Sequence, residues 1–134
     1  MRRNSRDLSF KLIYESIFSS QNEQIDFSYR EDDYVNYTKE EFDFAIELYQ
    51  TFFANKESLL AKVEGAIIGY TLNRTYKIDL ALLLLAITEH EYFQTPLAIV
   101  TNEVIELAKI YSTEKSPKFI NGVISTIYGE KNAW

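Results

Sequence analysis

A single histidine restricts the chemistry open to this sequence. His90 and Glu91 look like the start of a zinc-protease helix, but Gln94 occupies the position where that motif needs its second histidine ligand. Since no other histidine is present, a zinc site of this kind is not available, and neither is a cluster of histidine bases. The sequence therefore predicts that His90 is an exposed or locally hydrogen-bonded side chain near the end of a helix.

The glycines, carboxylates and cysteines give no catalytic pattern either. The four glycines, at positions 65, 69, 122 and 129, form neither a dinucleotide-binding fingerprint nor a P-loop. Glu31, Asp32 and Asp33 form a run of acids, which is more typical of a solvated surface than of a general acid and base pair. Cysteine is absent, which fits a reducing cytoplasm. We therefore predict a protein that is not an enzyme and has no catalytic residue, metal site or cofactor.

Three arginines at the start of the chain could bind phosphate. Arg2, Arg3 and Arg6 lie near the beginning of a predicted helix, and guanidinium groups bind phosphates through charge and paired hydrogen bonds. Arginine is unfavourable at the positive end of a helix dipole, so helix stability does not explain this placement. The alternative is an ordinary solubilising terminus, which charge alone favours somewhat.

A second candidate element is the stretch SPKFINGV, residues 116–123. Backbone amides at a helix start and the ammonium of Lys118 could meet a phosphate, while Phe119 could stack on an unpaired base. The alternative is that Phe119 belongs to the core and that Gly122 permits close helix packing. From these residues alone, the structural alternative is favoured.

Helices must position both elements. Apolar residues recur three and four positions apart along most of the chain, which predicts a succession of amphipathic helices. Thr38 and Glu41 form a capping-box pattern at the start of the second helix, and Asn4 or Ser5 could cap the first. The stretch from Lys77 to Phe93 is apolar on every side in its middle, which predicts a central helix surrounded by others.

Two later helices are marked by a hydroxyl residue followed by proline. Thr95 with Pro96, and Ser116 with Pro117, each place a capping residue before the residue best suited to the first helical position. No period-two strand pattern is present. We therefore expect an all-helical, irregular bundle of six helices, or seven if the long connection 21–37 contains one.

Length and charge complete this description. The 134 residues predict one domain, residues 1–134, and the net charge of −6 is unevenly spread. Residues 1–14 carry a net charge of +3 and residues 15–47 a net charge of −8. The longest apolar run, residues 80–87, is far shorter than the roughly 20 residues that a bilayer requires, and no signal peptide follows the basic start. We expect a soluble, cytoplasmic protein that does not contact a membrane.

Four segments of the chain resemble the NusB family. VTNEVIELAK, residues 100–109, is similar to the family's INEAVELAK pattern, and KFINGVI, residues 118–124, is similar to KFVNGVL. RRNSRDLSFKLIY, residues 2–14, looks like the arginine-rich first helix of the family, and IDLALLLLAITEHEY, residues 78–92, looks like its central helix. The resemblance covers nearly the whole chain and is stronger after about residue 77 than before it.

This resemblance implies a function in transcription. It implies an all-helical RNA-binding domain that binds the boxA segment of nascent ribosomal RNA as a single strand and pairs with NusE, which is also a small-subunit ribosomal protein. Through these partners the protein would act indirectly on the RNA polymerase antitermination complex and support ribosomal RNA synthesis.

The resemblance also implies site residues. Arg2, Arg3 and Arg6 match the family's basic first helix, while Lys118 and Phe119 match its second RNA-facing element. The predicted RNA-binding residues are therefore Arg2, Arg3, Arg6, Lys115, Lys118 and Phe119. The predicted contacts to NusE are Asp79, Glu89 and Tyr92, for which plain surface is the alternative.

The sequence departs from the family pattern at several basic positions. Asn4 stands where an arginine is usual in the first helix, and Leu80 and Leu84 stand where the central helix often has basic residues. Lys115 replaces the acid expected before the KFVNG-like motif. These departures bear directly on which residues contact RNA and how strongly.

Two other functions remain open at this point. The acidic surface and the missing basic positions are compatible with a helical protein-interaction module that does not bind RNA and could form homo-oligomers. A NusB-like domain also occurs at the front of certain RNA cytosine methyltransferases. No catalytic domain follows Trp134 in this sequence, so methyl transfer is not expected.

Overall fold

The structure, a computed structural model, describes residues 2–17, 37–67 and 75–129. Six α-helices occupy these ranges: α1 (Arg2–Ile17), α2 (Lys39–Ala54), α3 (Lys56–Ala66), α4 (Lys77–Phe93), α5 (Leu97–Tyr111) and α6 (Ser116–Tyr128). No strand occurs in the described ranges, and none of their helices is long and apolar enough to cross a bilayer. The prediction of an all-helical bundle is confirmed. The seventh helix considered for the long connection falls on residues 21–36, outside the described residues.

Helix α4 is the axis of the bundle. It packs against α1, α2, α3, α5 and α6, and every residue from Leu80 to Glu89 is buried. A helix that is apolar on all sides removes its side chains from water only when other helices surround it. Each fully buried leucine side chain then contributes about 1.5–3 kcal/mol to stability. The prediction of a central helix is therefore confirmed.

The start of α2 has the predicted capping box. Thr38 Oγ1 accepts a hydrogen bond from the Glu41 backbone N–H at 3.1 Å, and Glu41 Oε1 accepts one from the Thr38 N–H at 2.9 Å. The same glutamate joins α2 to α1, because Asn4 Nδ2 donates to Glu41 Oε2 at 2.8 Å and Ser5 Oγ donates to the Glu41 carbonyl at 2.9 Å. The prediction that Asn4 or Ser5 caps α1 is wrong, since both lie inside α1 and bind α2.

The proline-marked helix starts differ from the prediction by one residue. Helix α5 begins at Leu97 with Pro96 as its N-cap, and the hydroxyl of Thr95 donates to Glu89 Oε2 at 2.9 Å instead of capping α5. Helix α6 begins at Ser116, with Lys115 at the N-cap. Differences of one residue at helix ends are common. At α5, the hydroxyl of Thr95 does not cap the helix because it binds the buried Glu89 carboxylate of α4.

Candidate nucleic-acid interface

Arg6 lies inside the bundle, where it joins three helices. Its Nε and Nη2 donate to Glu89 Oε1 and Oε2, each at 2.7 Å, and its Nη1 donates to Glu103 Oε1 at 3.2 Å. Arg6 is only 7% exposed and Glu89 only 1%. Their hydrogen bonds raise the pKa of the Arg6 guanidinium above its usual value, against the opposing effect of burial. Arg6 therefore holds α1 against α4 and α5 through a two-point ion pair, the geometry that suits guanidinium and carboxylate groups.

Arg2 and Arg3 lie closer to solvent than Arg6. The Arg3 side chain is 66% exposed, and its Nη2 donates to Glu103 Oε2 at 3.2 Å. The guanidinium of Arg2 lies 3.5 Å from the centre of the Phe44 ring, a cation–π contact at the edge of a hollow of about 310 Å³ between α1 and α2. These two arginines remain accessible to a ligand, whereas Arg6 is enclosed by protein.

The start of α6 lines a second cavity, of about 240 Å³. Lys115 and Phe119 line it together with Tyr76, which is 52% exposed. Its complete lining is Thr75, Tyr76, Asp79, Thr113, Lys115, Ser116 and Phe119. Lys118 is exposed on the first turn of α6 and does not line this cavity. The cavity therefore places an ammonium group and two aromatic rings around a space large enough for a planar ring.

Hydrogen bonds fix one wall of this cavity. The buried Ser116 Oγ lies 2.8 Å from Ser112 Oγ and 2.9 Å from Thr113 Oγ1, and it accepts a bond from the Thr113 backbone N–H at 3.1 Å. Ser112 Oγ in turn donates to Asp79 Oδ1 at 2.5 Å. This chain of hydroxyl groups ties the turn between α5 and α6 to the first turn of α4, so the cavity is held in shape before any ligand arrives.

The three residues predicted to contact NusE differ in accessibility. Tyr92 is 40% exposed near the end of α4, whereas Asp79 is 5% exposed and Glu89 is 1% exposed. Asp79 binds Ser112 in the wall of the α6 cavity, and Glu89 binds Arg6. Of the three, only Tyr92 offers a large side-chain surface to a partner.

The structure places Arg6 and the start of α6, the element that carries Lys118, toward opposite ends of α4. Arg6 lies against Glu89 near the C-terminal end of α4, while the α6 cavity lies against Asp79 near its N-terminal end. Ten residues of helix correspond to about 15 Å along the axis. A single ligand that reached both elements would therefore have to cross the surface between them.

Sequence reasoning missed a cluster of polar side chains in this intervening region, formed around Asp7. Lys11 Nζ lies 2.9 Å from Asp7 Oδ2 and 5.5 Å from the centre of the Tyr111 ring. Tyr111 OH donates to Asp7 Oδ1 at 2.7 Å, and Tyr37 OH donates to Asp7 Oδ2 at 3.4 Å. The four-residue spacing of Arg3, Asp7 and Lys11 on one helix face was the signal that could have revealed this group.

His90 and its neighbours form a separate group on another face. The Nδ1–H of His90 donates to the Thr95 carbonyl at 2.8 Å, in agreement with the predicted local hydrogen bond. Its ring packs edge-on against the Tyr128 ring, with 4.9 Å between the ring centres. The described residues contain no cluster of histidine, aspartate and glutamate side chains that could hold a metal ion.

Five helices around a buried α4, with a basic α1 and the KFINGV sequence at the start of α6, define a NusB-type helical bundle. The structure matches that of NusB from T. maritima with a TM-score of 0.82 at 27% identity, covering 97% of this chain and 92% of that one. It also matches a chain in a solved complex of the antitermination factors NusB and NusE with double-stranded RNA, with a TM-score of 0.81 at 22% identity and 96% coverage of both chains.

The chain belongs to the NusB family, whose model matches residues 3–128. Its curated relatives include the transcription antitermination protein NusB of Clostridium novyi, which is 34% identical over 128 residues that cover 94% of this chain and 96% of the relative. The protein of the same name from Listeria innocua is 41% identical over 92 residues, covering 68% of this chain and 72% of the relative. The family predicted from the motifs is thus confirmed.

Proposed function

We propose that this chain is a transcription antitermination factor that binds boxA-type single-stranded RNA of ribosomal RNA transcripts together with NusE. The names of its relatives support the process, and the solved complex of a NusB with NusE and RNA supports the two kinds of partner. The proposed role is non-catalytic, and the contact with the RNA polymerase antitermination complex is indirect.

The start of α6 is the observation on which this proposal chiefly rests. Lys115 and Lys118 are exposed, and within the described ranges no ion pair joins either of them to a carboxylate. Phe119 and Tyr76 line the neighbouring cavity. Exposed ammonium groups near aromatic rings are suited to a single RNA strand, because phosphates bind the charges and unstacked bases bind the rings.

The residues of α1 divide between two roles in this proposal. Arg2 and Arg3 contact phosphate from the exposed face of the helix, while Arg6 fixes the position of α1 through Glu89 and Glu103. Arg6 would have to leave a bidentate, buried carboxylate to reach RNA, which is unfavourable because the remaining charge would be uncompensated.

We further propose that Tyr92 is part of the NusE surface. It is the most exposed of the three predicted partner residues, and an aromatic ring at the surface is typical of interface anchors. Asp79 and Glu89 then act on that surface only by positioning α4, through Ser112 and Arg6. A Tyr92→Ala variant should bind NusE more weakly while RNA binding by the chain alone is unchanged.

Fluorescence anisotropy with the purified chain tests the RNA proposal. A labelled boxA-like single strand, a scrambled single strand and the corresponding duplex are each titrated with and without NusE, over a salt series. We expect the boxA-like strand to bind more tightly than the other two, and more tightly still with NusE, because two weak contacts joined together raise the effective concentration. Absence of binding to all three RNAs under both conditions would overturn the proposal and favour a pure protein-interaction module.

A further inference from the structure

We propose that Lys11 is a further RNA-contacting residue, which binds a phosphate of the strand as it passes from the arginines of α1 to the cavity at the start of α6. This inference rests on the proposed RNA binding and adds a site midway along the path. It derives from the position of Lys11, from the way its ammonium group is held, and from its exposure.

Lys11 lies where such a strand has to pass. Residues 3, 7 and 11 are neighbours on one face of α1, and the helical rise places Arg3 and Lys11 about 12 Å apart. Lys11 contacts Tyr111, the last residue of α5, and the next residue, Ser112, binds Asp79 and Ser116 beside the α6 cavity. One helix face therefore leads from the exposed Arg3 to the turn that precedes α6.

The ammonium group of Lys11 is fixed in place but not enclosed. It binds Asp7, whose second oxygen accepts the hydroxyl of Tyr111 at 2.7 Å, so that the carboxylate itself is held from α5. Half of the Lys11 side chain is exposed. Because an ammonium carries three N–H donors, it can donate to a phosphate while it remains on Asp7. The hydrogen bond to Asp7 also raises the pKa of Lys11, so the ammonium group stays charged throughout the pH range of RNA-binding measurements.

The chain contains a matched group on another face of the bundle. Lys62 on α3 forms an ion pair with Glu91 on α4, and Tyr128 OH donates to that carboxylate at 2.7 Å. The Lys62 side chain is 43% exposed, against 50% for Lys11, and the two carboxylates are equally exposed at 21%. Lys62 lies between α3 and the end of α6, away from Arg3 and from the α6 cavity. Each lysine thus pairs with a carboxylate that also accepts a tyrosine hydroxyl, and the two lysines differ in position.

The test compares Lys11→Gln with Lys62→Gln in the anisotropy titration of the full chain. Loss of one phosphate contact should lower the slope of log affinity against log salt by about 0.7 for a single strand. The ratio of variant to wild-type Kd should then be about 2.5 times larger at about 50 mM salt than at about 200 mM. Lys62→Gln should leave both Kd and slope unchanged.

Two further variants separate contact from positioning. Lys11→Arg keeps the charge and should restore most of the slope. Tyr111→Phe keeps the ring but removes the hydroxyl that holds Asp7, so it should weaken binding without lowering the slope by a full contact. Circular dichroism and the urea midpoint of each variant establish that the fold is retained.

The outcomes distinguish this inference from the function on which it rests. If the wild-type chain binds RNA and Lys11→Gln has the same Kd and slope as Lys62→Gln, the assignment of Lys11 is wrong and the proposed function stands. If the wild-type chain binds no RNA, both are overturned.

Discussion

Arg6 in α1 and Lys118 in α6 belong to two basic motifs that resemble the same family, but the bundle uses them in opposite ways. Arg6 is 7% exposed and bound by two carboxylates, whereas Lys118 is exposed and bound by no carboxylate among the described residues. A charged side chain that is removed from water must be compensated within the protein, whereas one that remains in water can pair with a ligand of opposite charge. These two basic residues thus differ in burial: Arg6 holds helices together, whereas Lys118 is exposed and belongs to the proposed RNA surface.

The strongest test of this contrast is the removal of the Arg6 charge. Arg6→Gln should lower the free energy of unfolding by about 3–5 kcal/mol, because it leaves the buried Glu89 carboxylate without its partner. Urea denaturation followed by circular dichroism measures the change. The control is Arg3→Gln, which removes an exposed arginine from the same Glu103 and should leave the midpoint nearly unchanged. Equal midpoints for the two variants would show that burial does not separate their roles.

The second test removes the aromatic face at the other motif. Phe119→Leu keeps an apolar side chain against the core but should weaken single-strand RNA binding by about 1–3 kcal/mol, the usual contribution of one stacked base. Phe53→Leu is the matched control, because Phe53, near the end of α2, is also half-buried and lies near a lysine, Lys56 of α3. Anisotropy titrations that show the same Kd for both variants would remove Phe119 from the RNA surface.

A smaller effect is expected from the two lysines of α6. Replacing Lys115 and Lys118 together with glutamine should lower the salt slope of RNA binding by about 1.4, since each phosphate contact on a single strand contributes about 0.7. The urea midpoint should not change, because both side chains are exposed. A lower midpoint with an unchanged slope would place these lysines with Arg6, among the structural charges.

The smallest effect concerns Glu91, whose burial is intermediate between that of Arg6 and that of Lys118. Burial opposes its ionisation, but hydrogen bonds from Lys62 and Tyr128 outweigh this and lower its pKa below the ordinary value of 4.5. A carboxylate with a lowered pKa adds stability that is present above its ordinary pKa and is lost as the pH falls through the folded value. The fall in melting temperature from about pH 7 to about pH 3 should therefore be smaller for Glu91→Gln than for the wild type. Equal losses on acidification would contradict this.

Local patterns made most of the fold predictable. The capping box of Thr38 and Glu41 lies within one helical turn, so both partners are visible in four consecutive residues. The burial of α4 follows from its own composition, because a helix without a polar face has to be surrounded. The family motifs at residues 100–109 and 118–124 added the arrangement of the later helices.

Pairs that are distant along the chain were not predictable in this way. Glu89 follows Arg6 by 83 positions, and no periodicity links them, so Arg6 was predicted to face RNA with its neighbours Arg2 and Arg3. The group of Asp7, Lys11 and Tyr111 was missed for the same reason, since Tyr111 reaches Asp7 only after the bundle has formed. Charge in the sequence indicates that basic residues are available, but only burial shows which of them are already engaged.

The most direct measurement of this division is an NMR titration of labelled protein with a boxA-like single strand. The side-chain Nε–H of Arg6 is hydrogen-bonded to Glu89, so its signal should be observable and should not shift when RNA is added. The amides of Lys118 and Phe119 should shift in proportion to the RNA bound. A large shift of the Arg6 Nε–H signal, with Lys118 and Phe119 unaffected, would contradict the assignment of Arg6 to the fold and of α6 to RNA.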